Sequence, residues 1–297
     1  MTGRVVVFGA ASWNTTIRVE RFPDPAPGSI FPLGWHETVG SSGAGKAMNL
    51  ARLGVDVTLH CLIGDDEPGQ RVRAALEAAG VIVDAIPDRT GTARHVNLMD
   101  PHGRRISFLL HTGDPAARYD PNHVDELLGA TDHVLVAIVD QARVVLPIAR
   151  RLGRPTWTDL HATTGDRQWD RDFEQADRVF FSGEQLPDPR PLMSRLHDAG
   201  RDLVVCTRGA DGAIALTRDG RWLEVSAEPV DEIVDTNGAG DAFLAGTLFG
   251  ELRGLPIERS LTIGARVAAQ AIQSPDLAGV QTTDFLADLL DTPVARD

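Results

Sequence analysis

Two carboxylates flank a short glycine turn at Asp235-Thr236-Asn237-Gly238-Ala239-Gly240-Asp241, and an apolar run begins at once with Ala242-Phe243. A glycine-rich turn that opens a helix leaves backbone N–H groups unpaired and pointing outward. With the helix dipole they attract anions, phosphate above all. An aspartate at that helix start is a general base held beside a phosphate site, which is the pairing that phosphoryl transfer to an alcohol requires. A glycine loop closed by an Asp N-cap imitates a short version of this pattern but not all seven residues.

A second glycine loop competes for the phosphate. Gly40-Ser41-Ser42-Gly43-Ala44-Gly45-Lys46-Ala47 nearly matches G-x-x-x-x-G-K-[ST]. That loop needs a hydroxyl on magnesium after its lysine, and Ala47 stands there. It also needs a buried strand before it, whereas Leu33–Val39 contains Gly34, His36 and Glu37. Lys46 therefore reads as a solvated residue in the first turn of a helix, the minor alternative being a partner for an acidic or phosphorylated substrate. Asp159 and His161 follow the strand-like Pro155–Thr158. A loop at the C-terminal end of a parallel strand faces the ligand crevice, so Asp159 is either a turn residue or a group on the nucleotide and magnesium side. The nine histidines show no spacing of a metal site, and no Gly-x-Ser-x-Gly elbow is present.

The elements that must position these groups alternate along the chain. Strand-like runs are Val5–Phe8, Val57–Ile63, His133–Val139, Arg178–Phe181, Leu203–Cys206 and Ala213–Leu216. Helical periods cover Lys46–Leu53, Gly69–Ala79, Ala142–Leu152, Pro191–Ala199, Asp241–Leu252 and Pro256–Gln273, and Gly54, Gly80, Gly153 and Gly200 close four of them. Such alternation implies a mostly parallel, doubly wound α/β sheet with helices on both faces. Two stretches, 11–39 and 90–112, lack helical period and read as extra β structure, the second around a turn at Asp100-Pro101-His102-Gly103.

With 297 residues, the chain is long enough for one large α/β domain or two modest ones, and a single domain over residues 1–297 is expected. The net charge of −13 disfavours nucleic acid and anionic membranes. Lys46 is the single lysine among 29 basic residues. Cys61 and Cys206 lie in apolar runs and read as buried thiols. The N-terminus runs directly into a short strand, without the pattern of a signal peptide, and a cytoplasmic setting is expected.

The glycine turn closely resembles the Asp-Thr-x-Gly-Ala-Gly-Asp signature of the ribokinase-like (phosphofructokinase B) carbohydrate kinases. The likeness extends along the chain through Gly9, the 40–45 glycine loop with Leu50–Gly54, Gly64-Asp65-Asp66-Glu67-Pro68-Gly69, and Thr207-Arg208-Gly209-Ala210-Asp211-Gly212. The resemblance implies an ATP-dependent kinase acting on a hydroxyl of a sugar or sugar-like molecule, with a small β lid built from about 11–39 and 90–112. It casts Asp241 as base and Gly238, Ala239 and Gly240 as the anion hole. Thr207, Gly209, Gly212, Ala265 and Ala268 fall to the nucleotide, with Gly264 also leaving room beside the adenine. Ser12, Asn14, Gly40, Ser41 and Gly45 line the acceptor pocket. Magnesium comes with the phosphates, potassium lies near Asp235, and a homodimer pairs through the lid. Trp13 and Trp35, in the lid, either stack on a sugar or pack structurally. The chain departs from the pattern in having Asn14 for an aspartate, Gly45 for an asparagine, and no Asn-x-x-Glu near Phe180–Gln185. A nucleoside or vitamin kinase of the same superfamily, a catalytically idle sugar-binding relative and a P-loop NTPase are the alternatives.

Overall fold

The computed structural model describes residues 3–24, 26–279 and 282–291. Nine strands form the central sheet. In spatial order they are Trp222–Val225 (β13), Ala213–Thr217 (β12), Leu203–Thr207 (β11), Arg178–Ser182 (β10), Thr156–Ala162 (β9), His133–Ala137 (β8), Arg4–Phe8 (β1), Asp56–Gly64 (β4) and Ile82–Asp88 (β5). All neighbours run parallel except the antiparallel β11–β12 and β12–β13 pairs at one edge. The sheet is double-faced. Val5 and Val7 of β1 enter one apolar cluster while Val6 and Phe8 enter the other, the two-residue period of a strand buried on both sides.

Helices Ser42–Arg52 (α1), Glu67–Ala78 (α2), Ala239–Leu252 (α6), Ile257–Ile272 (α7) and Thr283–Asp291 (α8) pack on the first cluster. Pro121–Gly129 (α3), Val145–Arg151 (α4) and Arg190–Asp198 (α5) cover the second. The six strands and six helical regions expected from periodicity are present, with the stretch from Ala142 split between a 3-10 turn and α4. Strands β5 and β13 and helices α3 and α8 were not expected. The antiparallel direction of β12 was not foreseen either, because a strand's periodicity carries no direction.

The two β-rich stretches form a separate sheet of four strands, in the order Gly34–Gly40 (β3), Ser12–Arg18 (β2), Ala93–Met99 (β6) and Arg105–His111 (β7). Asp66 joins it to the main body. Its carboxylate caps α2 by accepting from Gly69 N (2.9 Å), and it also accepts from Thr92 N (2.9 Å) just ahead of β6. A Cβ on Gly64 would stand 2.5 Å from Thr92 N. The Gly-Asp-Asp segment is thus a tight junction between the sheets.

Candidate active site

The strand order turns at β1. β4 and β5 lie to one side of it and β8 to β11 to the other, and ligand crevices of open α/β sheets form where the order reverses. Two helix starts converge there. α6 begins after Gly238, whose φ of 83° closes the turn in the left-handed region. The conformational need for glycine therefore falls at Gly238 and not at Gly240. Gly240 is helical, and a Cβ on it would meet nothing within 4 Å, so its missing side chain keeps the helix start open. Asp241 lies in the first turn of α6 and is 8% exposed.

The start of α1 faces Asp241. Gly43 lets α1 close on the end of β1, since a Cβ there would stand 2.7 Å from Ala10 O. Ser42 Oγ donates to Asp241 Oδ1 at 2.6 Å. Lys46, one helical turn further on the same face, donates to Ser42 Oγ, to Asp241 Oδ1 and, at 3.0 Å, to Asp159 Oδ2 at the C-terminal end of β9. The expected solvated lysine is therefore wrong: Lys46 is 0% exposed. Burial pulls its ammonium toward neutrality, but the charges of Asp159 and Asp241 outweigh it and hold the pKa above the ordinary lysine value. Burial likewise pushes the Asp159 carboxyl up, yet Lys46, then His161, brings it down to about 2. The signal available in sequence was the lone lysine inside an otherwise small and apolar run.

The P-loop reading fails on the same geometry. The strand before the loop, β3, pairs antiparallel with β2 in the small sheet, and Lys46 spends its donors inside the protein. Asp159 turns out to do two things. Its Oδ1 accepts from His161 N (2.9 Å) across an irregularity near the end of β9 in which His161 has φ 55°, and its Oδ2 reaches Lys46. Asp159, His161 and Asp241 gather ligand atoms within 4.8 Å. The ammonium of Lys46 already stands between the two carboxylates, so this trio does not suit a divalent ion.

The remaining expected residues fall into groups. Ser12 Oγ lies 2.8 Å from both Asn14 Oδ1 and Ser41 Oγ, and the Asn14 amide occupies the space a Cβ on Gly40 would take. Ser12, Asn14, Gly40 and Ser41 thus form one polar cluster, and Ser42 links its neighbour Ser41 to Asp241. Gly45 lies directly against Asp241, for a Cβ there would stand 2.7 Å from Asp241 Oδ2. Thr207 ends β11, and Gly209 (φ 58°) has open space around it. Gly212 (φ 78°) instead makes room for the backbone at Val225.

Asp235 is 4% exposed, accepts from Asn237 N (2.6 Å) and is raised by burial. The tip of the small sheet meets this turn: Thr236 Oγ1 donates to Gly103 O (2.7 Å) and Arg105 donates to Asn237 Oδ1. In α7, Gly264 is consumed by close packing on α6, where a Cβ would stand 2.6 Å from Phe243 O. Ala265 belongs to the core and Ala268 packs partly buried against it. Trp13 lies partly buried with the Arg71 guanidinium 5.5 Å over its ring, and Trp35 is exposed. Away from this site the fold also joins His60, Asp84 and His123, distant in sequence, through hydrogen bonds of 2.9 and 2.7 Å to Asp84 Oδ2.

The sequence matches the model of the pfkB family carbohydrate kinases over residues 2–146 and 174–283. It is 35% identical over 285 residues to an acarbose 7(IV)-phosphotransferase of Actinoplanes sp., covering 91% of this chain and 92% of that one. It is 30% identical to an ATP-dependent ribose-1-phosphate kinase of Halopiger xanaduensis, covering 97% and 98%. Among solved structures it superposes on a microbiome-derived acarbose kinase with a TM-score of 0.85 at 30% identity, covering 98% and 100%. It also shares its fold with Arabidopsis thaliana ribokinase, at a TM-score of 0.82 and 19% identity over 99% and 100%. The doubly wound sheet, the glycine turn opening α6 and these likenesses agree: the chain belongs to the pfkB family of carbohydrate kinases, phosphotransferases with an alcohol group as acceptor.

Proposed function

We propose that this protein is an ATP-dependent kinase in which Asp241 takes the proton of a sugar hydroxyl while the backbone N–H groups of Gly238, Ala239, Gly240 and Asp241 hold the transferring phosphoryl oxygens. The observation that carries the reading is the placement of Asp241: it sits at the start of α6 with Oδ1 bonded inside the protein and Oδ2 against the missing side chain of Gly45. The polar cluster of Ser12, Asn14, Gly40 and Ser41 supplies donors and acceptors for the acceptor's hydroxyls. The nucleotide lies along Thr207–Gly212, where Gly209 is open, with the adenine toward Ala265 and Ala268. The small sheet acts as a lid over the acceptor, excluding water from the transfer.

Magnesium would neutralise the phosphate charge of the nucleotide as the transfer proceeds. Asp235, buried beside the glycine turn with Oδ1 accepting from Asn237 N, is the carboxylate we assign to a monovalent cation. Two carboxylates against one ammonium favour a neutral or amine-bearing acceptor over a sugar phosphate or sugar acid, because Lys46 has no donor left for an anion. Acarbose and related glycosides are therefore the first acceptors to test. No helix among the described residues is long and apolar enough to cross a membrane. The two cysteines are free and buried, Cys61 pushed to about 12 by burial, which suits a reducing cytoplasm. Phe31, Leu33, Trp35 and Leu110 leave an apolar surface on and beside the small sheet, which suits pairing with a second copy.

The test is ADP release with magnesium-ATP against acarbose, ribose, fructose, ribose 1-phosphate, a sugar acid and cytidine. Acceptor-dependent release is expected with a neutral or amine-bearing glycoside and is expected to fall by roughly 100- to 10,000-fold in Asp241→Asn. Release that ignores every acceptor, or an Asp241→Asn protein near the wild-type rate, refutes the proposal.

A further inference from the structure

Lys46 has three N–H donors and three partners, all within the chain: Ser42 Oγ, Asp159 Oδ2 at 3.0 Å and Asp241 Oδ1. Ser42 passes one of these contacts on, accepting from Lys46 and donating to Asp241 Oδ1 at 2.6 Å. Oδ1 of Asp241 thus receives two hydrogen bonds from α1. Oδ2 lies 2.7 Å from the place a Cβ on Gly45 would take. An aspartate on the surface rotates freely about its last bond, whereas this carboxylate is fixed in plane by charge-assisted bonds at one oxygen. Asp159 holds the ammonium from the far side, so the clamp has an anchor on β9 as well as on α1.

We infer that Lys46 is the positioning residue of the base: it pins Asp241 Oδ1 and so leaves Oδ2 as the oxygen that accepts the hydroxyl proton, in the space Gly45 keeps free. This rests on the reading of Asp241 as general base. In the step it serves, the acceptor O–H proton moves to Oδ2, the acceptor oxygen forms a bond to the γ-phosphorus, and the bond from that phosphorus to the β–γ bridging oxygen breaks with ADP leaving. Asp241 then returns the proton to solvent. Lys46 touches none of the reacting atoms. It acts by keeping Oδ2 within hydrogen-bond reach of the hydroxyl, and misplacement of such a group by about 1 Å costs roughly 100-fold.

The experiment compares kcat and KM in Lys46→Met, which fills the same buried space without the charge, and in Lys46→Ala with propylammonium added to replace the lost end of the side chain. Lys46→Met is expected to lose roughly 100-fold in kcat, with KM for ATP and for the acceptor within about threefold. Propylammonium is expected to restore Lys46→Ala by roughly tenfold or more, saturably, while propan-1-ol of the same length does not, because the pinned oxygen needs a charged donor. If Lys46→Met does not fold, Asp159→Asn, which keeps its shape and loosens the same clamp, decides by the same split between kcat and KM. A folded Lys46→Met with kcat within about threefold of wild type overturns the inference. So does a loss confined to KM, or rescue by propan-1-ol equal to that by propylammonium. Asp241→Asn run alongside separates the two readings: if it is inactive while Lys46→Met is active, only the clamp fails, and if it is active, both fail.

Discussion

Gly45→Ala tests the geometry of the site without replacing a charged group. The added methyl would stand 2.7 Å from Asp241 Oδ2, 3.3 Å from Cγ and 3.4 Å from Cβ. Atoms of this kind meet comfortably near ~3.5 Å, so about 0.8 Å of movement has to be found. Asp241 cannot turn away freely, because Oδ1 is held by Lys46 and Ser42. Either the carboxylate leaves its position or α1 moves off α6, and both carry Oδ2 away from the hydroxyl. A displacement of that size costs roughly 30- to 100-fold, or about 2–2.7 kcal/mol in the barrier. Stability changes less. Overpacking costs ~1–3 kcal/mol, while replacing a helical glycine by alanine returns ~0.5–1 kcal/mol. Initial rates at saturating ATP and acceptor, with melting followed separately, give kcat and fold independently. A folded Gly45→Ala protein with kcat within about threefold of wild type would refute the claim that the acceptor hydroxyl meets Oδ2 at this face.

Gly240→Ala makes the opposite test, since its Cβ would meet nothing in the protein. Melting is expected to hold or rise with helix propensity while ATP affinity falls about tenfold, and unchanged affinity by calorimetry would show that phosphate does not approach there. His133 Nδ1 accepts from Trp157 Nε1 (3.1 Å), and burial, with Arg178 near, lowers its pKa from 6.5 to about 4. The unfolded chain therefore binds this proton more readily. Stability from the neutral ring is complete above pH 6.5 and is lost as pH falls from 6.5 through about 4. Urea midpoints across that window are expected to flatten in His133→Gln, and an unchanged slope would remove His133 as the cause. Sedimentation is expected to show a dimer that Phe31→Asp with Leu110→Asp breaks, and a monomer at every concentration would count against pairing through the small sheet.

Local chemistry makes the reactive turn legible from neighbouring residues alone. Glycines and flanking aspartates determine their own backbone and dipole environment within a few residues, so the turn and the carboxylate at the start of α6 follow from adjacency. The two-residue and 3.6-residue periods likewise announce which strands and helices alternate, because a face must be buried wherever the period places apolar groups. Lys46 lay beyond that kind of reading. Its burial depends on α6 and β9, whose residues stand 195 and 113 positions away in the chain. A lysine is solvated by default unless carboxylates meet it, and only the tertiary fold brings them. The same holds for Asp159, which by sequence was divided between a turn and the nucleotide side and in the structure pairs with Lys46 from β9. Gly264 shows the reverse error: a small residue looks like room for a ligand until the neighbouring helix is seen to fill it. Local order along the chain was enough for the glycine turn ahead of α6, for the carboxylate placed at that helix start and for the layered class of the fold. What surrounds Asp241 came only with the tertiary fold, because which side chains meet across distant elements depends on packing that no local pattern encodes.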